Sequence, residues 1–256
     1  MKIGPYQLYS IETSEFALDG GAMFGIIPKP LWEKKAPVDE QNRIEMVTRS
    51  LLLISDEHKI IVDSGNGNKW QEKFKDIYKI ELENLNLERS LGKYGFTPED
   101  ITDVYCTHLH FDHVGGNTKL VDGKLEPVFP NATCWIQNEN WELANLPSEK
   151  DAGSFMSDDW SVLEENDMIQ FVDGRESFLP GIDQLLTYGH TTGMMHPIIG
   201  DSSQKLIYMA DLIPMAAHIP LPWVMAYDIQ PVQTVKEKGE ILPTIVALKK
   251  MIILAQ

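Results

Sequence analysis

Apolar residues come in short runs divided by turn-formers, with no long amphipathic repeat. Ser50-Leu51-Leu52-Leu53-Ile54 and Lys59-Ile60-Ile61-Val62 bracket the polar turn Asp56-Glu57-His58. Runs this short and this continuously aliphatic read as strands buried on both faces, here paired as a hairpin. Similar runs predict strands over Asp103–Thr107, Ala132–Gln137, Gln184–Tyr188, Pro197–Ile199 and Leu206–Met209. Helical spacing occurs from Lys69 to Phe74 and from Leu85 to Tyr94, where Gly95 supplies a C-terminal stop. Thr97-Pro98-Glu99-Asp100 has the layout of a helix start, with Thr as cap, Pro just inside and Asp three residues on. Helices are also predicted over Glu139–Ala144, Trp160–Glu165 and part of Thr234–Lys250, the last interrupted by Pro243. Strands interleaved with helices, without repeats or low-complexity linkers, predict one α/β domain of layered sheets over residues 1–256.

The densest chemistry follows the strand Val104-Tyr105-Cys106. In Thr107-His108-Leu109-His110-Phe111-Asp112-His113-Val114-Gly115-Gly116, three histidines and one aspartate fall within six residues. Imidazole and carboxylate are the donors that borderline divalent metals such as Zn²⁺ prefer. The spacing puts His108 and His110 on one side of an extended turn and offers Asp112 and His113 to a second position, so the loop can hold two ions. Two such ions lower the pKa of a shared water to about 7, which yields a hydroxide able to attack an ester or lactone carbonyl at neutral pH. Asp112 is the natural carboxylate to relay a proton to the leaving oxygen. No G-x-S-x-G element offers a serine nucleophile, and Cys106 and Cys134 read as reduced core residues. His218, in a Pro-rich loop, is a further catalytic candidate, whereas His196 reads as a packing residue.

The run T-H-x-H-x-D-H-x-G-G resembles the signature of the metallo-β-lactamase superfamily, and the order of later features is similar too. That resemblance implies a four-layer αβ/βα sandwich. It assigns His190, in Gly189-His190-Thr191-Thr192-Gly193, to the first metal with His108 and His110. Asp211, closing Met209-Ala210-Asp211, becomes the carboxylate bridging both metals, and Asp63, in Asp63-Ser64-Gly65, the support of a ligand histidine. Leu18-Asp19-Gly20-Gly21-Ala22-Met23-Phe24-Gly25, Pro28-Lys29-Pro30-Leu31-Trp32 and Leu221–Asp228 resemble a narrower branch of N-acyl-homoserine lactonases and organophosphate hydrolases. By that likeness Met23 and Phe24 line the pocket of an apolar acyl chain, the cofactor is a zinc pair, and a homodimer is expected by analogy. The implied activity is opening of a lactone (quorum quenching). The alternatives are hydrolysis of organophosphates or aryl esters, or a catalytically weak metal- or ligand-binding role. The resemblance also implies a last histidine after a late apolar strand, but Lys249–Gln256 carries none. The expectation is therefore an altered or truncated C-terminus, or a second metal held by fewer ligands.

Charge narrows the choice. With 22 Lys and Arg against 38 Asp and Glu, the chain carries a formal charge of −16, which disfavours nucleic acid as a partner. Its 43% apolar content is that of a globular protein. No apolar run is long enough to span a bilayer, and Met1-Lys2-Ile3-Gly4-Pro5-Tyr6 lacks the apolar core of a signal peptide. Two cysteines cannot build a disulfide framework, and the compartment reads as cytoplasmic.

Overall fold

The aliphatic runs form strands of two facing sheets. The computed structural model describes residues 1–201, 204–247 and 251–256. The chain opens with β1 (Lys2–Ile3), β2 (Tyr6–Asp19), α1 (Gly20–Phe24), α2 (Lys29–Trp32), β3 (Arg43–Ile54) and β4 (Lys59–Val62). It continues through α3 (Glu72–Tyr78), α4 (Leu87–Gly92), β5 (Asp103–Tyr105), α5 (Phe111–Val114) and a small hairpin of β6 (Thr118–Val121) and β7 (Lys124–Pro127). Next come β8 (Thr133–Gln137), α6 (Asn138–Asn145), α7 (Ser161–Glu165), β9 (Ile169–Val172) and β10 (Ile182–Thr187). They are followed by β11 (Met194–Gly200), β12 (Lys205–Tyr208), α8 (Pro231–Ala247) and β13 (Met251–Ile253).

One sheet has the order β1-β2-β3-β4-β5-β8-β9 and the other β10-β11-β12-β13. Alternation along the strands sorts the continuous runs into two cores. Leu51, Leu53, Ile60 and Val62 meet Leu186, Met194, Ile199 and Tyr208 between the sheets. Leu52, Ile61 and Val104 point the other way, to Leu91 of α4, Ala144 of α6 and Leu163 of α7. Beyond the second sheet, Leu185, Ile198 and Ile207 line a cleft with Ile241 and Ile245 of α8. The result is the four-layer sandwich of helices, sheet, sheet and helix.

This topology gathers chemistry at one end. β4, β5 and β8 run parallel, as do β12 and β13. Asp63 follows β4, His108 to His113 follow β5, His190 follows β10, Asp211 follows β12 and Gln256 follows β13. Loops leaving the carboxyl ends of parallel strands are the usual place for ligands in such sheets.

Several elements differ from the sequence expectation. The helix read over Lys69–Phe74 begins only at Glu72, because Lys69 and Trp70 are engaged elsewhere. Lys69 pairs with buried Asp159 at 2.9 Å, and the Trp70 indole donates to the Asn66 carbonyl at 2.8 Å. The stretch from Leu85 to Tyr94 shortens to Leu87–Gly92, capped by the Asn86 side chain on the Arg89 N–H. Thr97–Asp100 keeps its capping bonds but closes a single tight turn, Pro98–Asp100, before β5. β5 ends at Tyr105, two residues early, where the chain leaves the sheet for the histidine turn. Pro243 does not interrupt the last helix, which runs through it from Pro231 to Ala247. The cost of the hydrogen bond lost at proline is offset by Ile241, Leu242 and Ile245 packing on the core. Residues 248–250 of that predicted helix, and so Lys249 and Lys250 of the late apolar run, lie outside the described residues. The remainder of that run is a paired strand, with Leu206, Ile207 and Tyr208 opposite Met251, Ile252 and Ile253.

Candidate metal centre

Two turns lock the floor of the site. Gly67 has φ +62, and a Cβ there would lie 2.0 Å from the Gly115 carbonyl oxygen. Gly116 stands equally close to the Ser64 carbonyl, 2.3 Å from a hypothetical Cβ. Only glycines let the segment after β4 and the turn after His113 interlock this tightly. Asp63 itself has φ +58, a left-handed conformation rare for a residue with a side chain and often found where geometry is imposed by a site. Its carboxylate takes the Thr107 N–H at 2.8 Å, the Thr107 hydroxyl at 2.9 Å and His113 Nδ1 at 2.8 Å.

The histidines are fixed from behind. His108 Nδ1 lies 3.0 Å from the Thr107 hydroxyl, whose proton goes to Asp63. His190 Nδ1 donates to Asp228 Oδ1 at 3.0 Å. With their Nδ1 protons directed outward, His108, His113 and His190 present bare Nε2 lone pairs inward. His108 Nε2 and His190 Nε2 each stand 3.1 Å from His110 Nδ1. Lone pairs converging at that distance repel one another unless a cation lies among them, so the donor set fits a metal ion. His108, His110 and His190 form one cluster of convergent donors, and His108, His113 and Asp211 a second. Asp211 addresses both: Oδ1 is 3.2 Å from His113 Nε2, and Oδ2 is 3.3 Å from His190 Nε2. Buried Asp211 Oδ1 and His113 Nε2 face each other, with no further hydrogen-bond partner, as expected of groups that could share an ion. Asp112 Oδ2 approaches the second cluster at 3.6 Å from His113 Nε2.

The electrostatics divide the ring: His108 and His110 are kept bare of an extra proton, whereas the surrounding carboxylates favour one on His113 and His190 that a metal would displace. Burial and the neighbouring His113 hold His108 well below the ordinary imidazole range, and burial with His190 does the same to His110. Burial also opposes charge on His113, but Asp211, Asp112 and Asp63 together overrule it and hold that ring well above its usual value. Asp211 stays far below the usual carboxylate range because His113 and His190 outweigh its burial. Asp112 moves upward, chiefly through burial.

The structure thus brings His108, His110, Asp112, His113, His190, Asp211 and Asp63 together. It does not bring His218 to the ring. That imidazole stacks on Phe24 with centroids 4.9 Å apart, and its Nε2 donates to the Met23 carbonyl at 2.8 Å. A side chain tied this way buttresses the α1 turn, and His218 is not among the residues lining the cleft over the donor clusters. Phe24 is likewise displaced from its expected place. It is fully buried between Trp32 and His218, whereas Met23 does reach the cleft. The cleft has a volume of about 30 Å³ and is walled by Leu18, Met23, Phe111, Met225 and Tyr227 above His110, Asp112, His190 and Asp211.

Three residues were missed by sequence reasoning. Asp228 closes the Leu221–Asp228 stretch that carried the branch resemblance, but its role as the partner of His190 was not read from it. Glu237, on α8, accepts the N–H groups of Tyr188 and Gly189, at 2.8 and 3.1 Å, just ahead of His190. Gln256 occupies the place beyond the late strand where a histidine was expected. Its Nε2 donates to Asp112 Oδ2 at 2.9 Å, and its Oε1 is buried without a partner.

With the geometry in place, comparison with known proteins fixes the class. The Metallo-beta-lactamase superfamily model matches residues 44–245, and the chain belongs to that superfamily. Among curated relatives, an N-acyl homoserine lactonase of Bacillus cereus is 25% identical over 177 residues, which cover 66% of this chain and 64% of the relative. The match thus spans slightly under two thirds of that lactonase. A solved structure of a probable metal-dependent hydrolase from Staphylococcus aureus superimposes with a TM-score of 0.91 at 29% identity, covering 100% of this chain and 90% of that one. AidC, a dizinc quorum-quenching lactonase solved in complex with a product, shares the fold with a TM-score of 0.81 at 21% identity, over 100% and 88% of the two chains. No helix among the described residues is long and apolar enough to cross a membrane.

Proposed function

We propose that this chain is a two-metal hydrolase that opens the lactone ring of an N-acyl-homoserine lactone, with zinc as its metal. The observation that carries this reading is the divided carboxylate of Asp211, one oxygen toward each donor cluster. Two zinc ions would be held by His108, His110 and His190 on one side and by His113 and Asp112 on the other, with Asp211 offering one oxygen to each. Bound there, they would supply Lewis acidity and a water acidified toward neutral pH.

The protein's own groups do the rest. The carboxylates of Asp63 and Asp228 keep three imidazoles in the tautomer that faces inward. Asp112, shifted upward chiefly by burial and placed at the edge of the second cluster, is the carboxylate that would relay a proton to the leaving alkoxide. Leu18, Met23, Phe111 and Met225 exclude water from the carbonyl end of the substrate. A cleft of about 30 Å³ admits little more than that reacting end, so an acyl tail lies along its outer wall.

Metal analysis and kinetics test the reading together. Purified protein loaded with zinc should bind two ions per chain and hydrolyse acyl-homoserine lactones faster than aryl esters or phosphotriesters. His110→Ala should lose an ion and the turnover. One ion or none, with no hydrolysis of any of the three substrate classes, would sink the proposal in favour of a ligand-binding role.

A further inference from the structure

The outer wall of the cleft belongs to the segment from His218 to Asp228, which carries Met225 and Tyr227. It contains no strand among the described elements, and Pro220 and Pro222 have no N–H to offer. Its carbonyl oxygens are instead gathered by two lysines. Lys238 Nζ shares its three N–H groups among the carbonyls of His218 at 2.5 Å, Pro220 at 2.9 Å, Leu221 at 3.3 Å and Trp223 at 2.8 Å. Lys150 Nζ donates to those of Ala226, Tyr227 and Asp228, at 3.0, 3.2 and 3.0 Å. Lys150 is exposed, whereas Lys238 is only 1% exposed and forms no salt bridge among the described residues. A buried ammonium without a carboxylate in contact is costly unless dipoles surround it, and here four of them do. Its sequence neighbour Glu237 grips the turn ahead of His190. One turn of α8 therefore holds the metal-ligand turn with an acid and the cleft wall with a base.

We propose that Lys238 is a specificity-determining positioning residue, an internal cation that fixes the course of the wall and hence the place of Met225 and Tyr227 over the metals. The proposal rests on reading the cleft as a hydrolase site. Burial lowers the Lys238 ammonium to about 8, which leaves it largely charged at neutral pH. Carbonyl oxygens converging on one point make a cage for a small cation, so a vacated cage should accept ammonium from solution.

The test is hydrogen exchange of the full chain with Lys238→Ala and Lys238→Met, the latter keeping the bulk of the stem and removing only the charge. Both variants should raise amide exchange over 219–228 by about tenfold while β3 and β4 stay protected. Ammonium chloride should reverse most of the change in Lys238→Ala, and tetramethylammonium chloride, which has no N–H, should not. In Lys238→Met, KM for a long-chain acyl lactone should rise about tenfold more than for a short-chain one, with kcat moving less than about threefold. Exchange equal to wild type in both variants, no response to ammonium, or a KM change independent of chain length would overturn the proposal. Global unfolding of both would also overturn it, marking the lysine as purely structural. Because exchange and its rescue need no turnover, a wild-type protein inert on all esters would refute the hydrolase reading alone. Normal hydrolysis with unchanged exchange would refute only the role of Lys238.

Discussion

The ring of histidines and the wall that faces it are built by different means. Each ring donor follows the end of a strand, and Asp63 or Asp228 stands directly behind His113 and His190 and, through the Thr107 hydroxyl, behind His108. The wall from His218 to Asp228 leans instead on lysines from α8 and from the loop after α6. In the ring, one orientation per side chain is enforced by short charged hydrogen bonds. In the wall, the backbone itself is placed, and side chains such as Met225 and Tyr227 follow. The first arrangement suits chemistry that tolerates no displacement, and the second suits recognition that can vary while the chemistry stays fixed.

That contrast can be broken at its strongest point first. Asp211→Ala removes the one carboxylate shared by both clusters. It should cut turnover by at least about 10³-fold and lower metal content in elemental analysis. A variant that keeps both ions would show that the ring does not depend on the bridge.

Next in size is a response of the sheet beneath the ring. Buried His196 bonds the Thr187 hydroxyl at 2.8 Å, and burial lowers it from 6.5 to about 4. Between those values the unfolded chain binds the extra proton, so the contribution is complete above pH 6.5 and is lost as pH falls toward 4. The loss should reach ~3 kcal/mol in urea unfolding. His196→Gln should flatten that part of the pH dependence, and an unaltered slope would assign it to other groups.

Asp228→Ala leaves the metal donors intact and frees only the back of His190. Metal affinity or activity should fall by about 10- to 100-fold, as measured by competition with a chelator. A loss as deep as that of Asp211→Ala would mean that orienting a ligand matters as much as supplying one. The smallest effect is expected of Lys150→Ala, since that lysine is exposed and water can replace it at the carbonyls. KM should change by no more than about threefold, with kcat and metal content preserved.

Much of this was legible in the sequence, for physical reasons. A run such as Leu51-Leu52-Leu53 has one interpretation, because both of its faces are buried, and His108 to His113 carry their spacing with them. The long strand β2 was invisible because its pairing with β3 shifts register between Glu12 and Ser14, which switches the phase of alternation midway. The grip of Glu237 on Tyr188 and Gly189 joins residues 48 apart or more, and that of Lys238 on the wall joins residues at least 15 apart. A lysine or glutamate on a helix carries no local mark of such a partner. His218 and Phe24 were misplaced for a related reason. Their neighbourhood in sequence suggested the cleft, while stacking against each other drew both behind it.

The strand β13 also ties the site to a distant part of the chain. β12, whose end carries Asp211, gains its outer partner only when Met251–Ile253 docks beside it, and the backbone N–H of Arg49 in β3 takes the Ala255 carbonyl at 2.7 Å. The Asp211 carboxylate stands just past a strand whose outer edge is closed by this distant segment. Undocking of β13 should therefore disturb the donor clusters as well as the sheet.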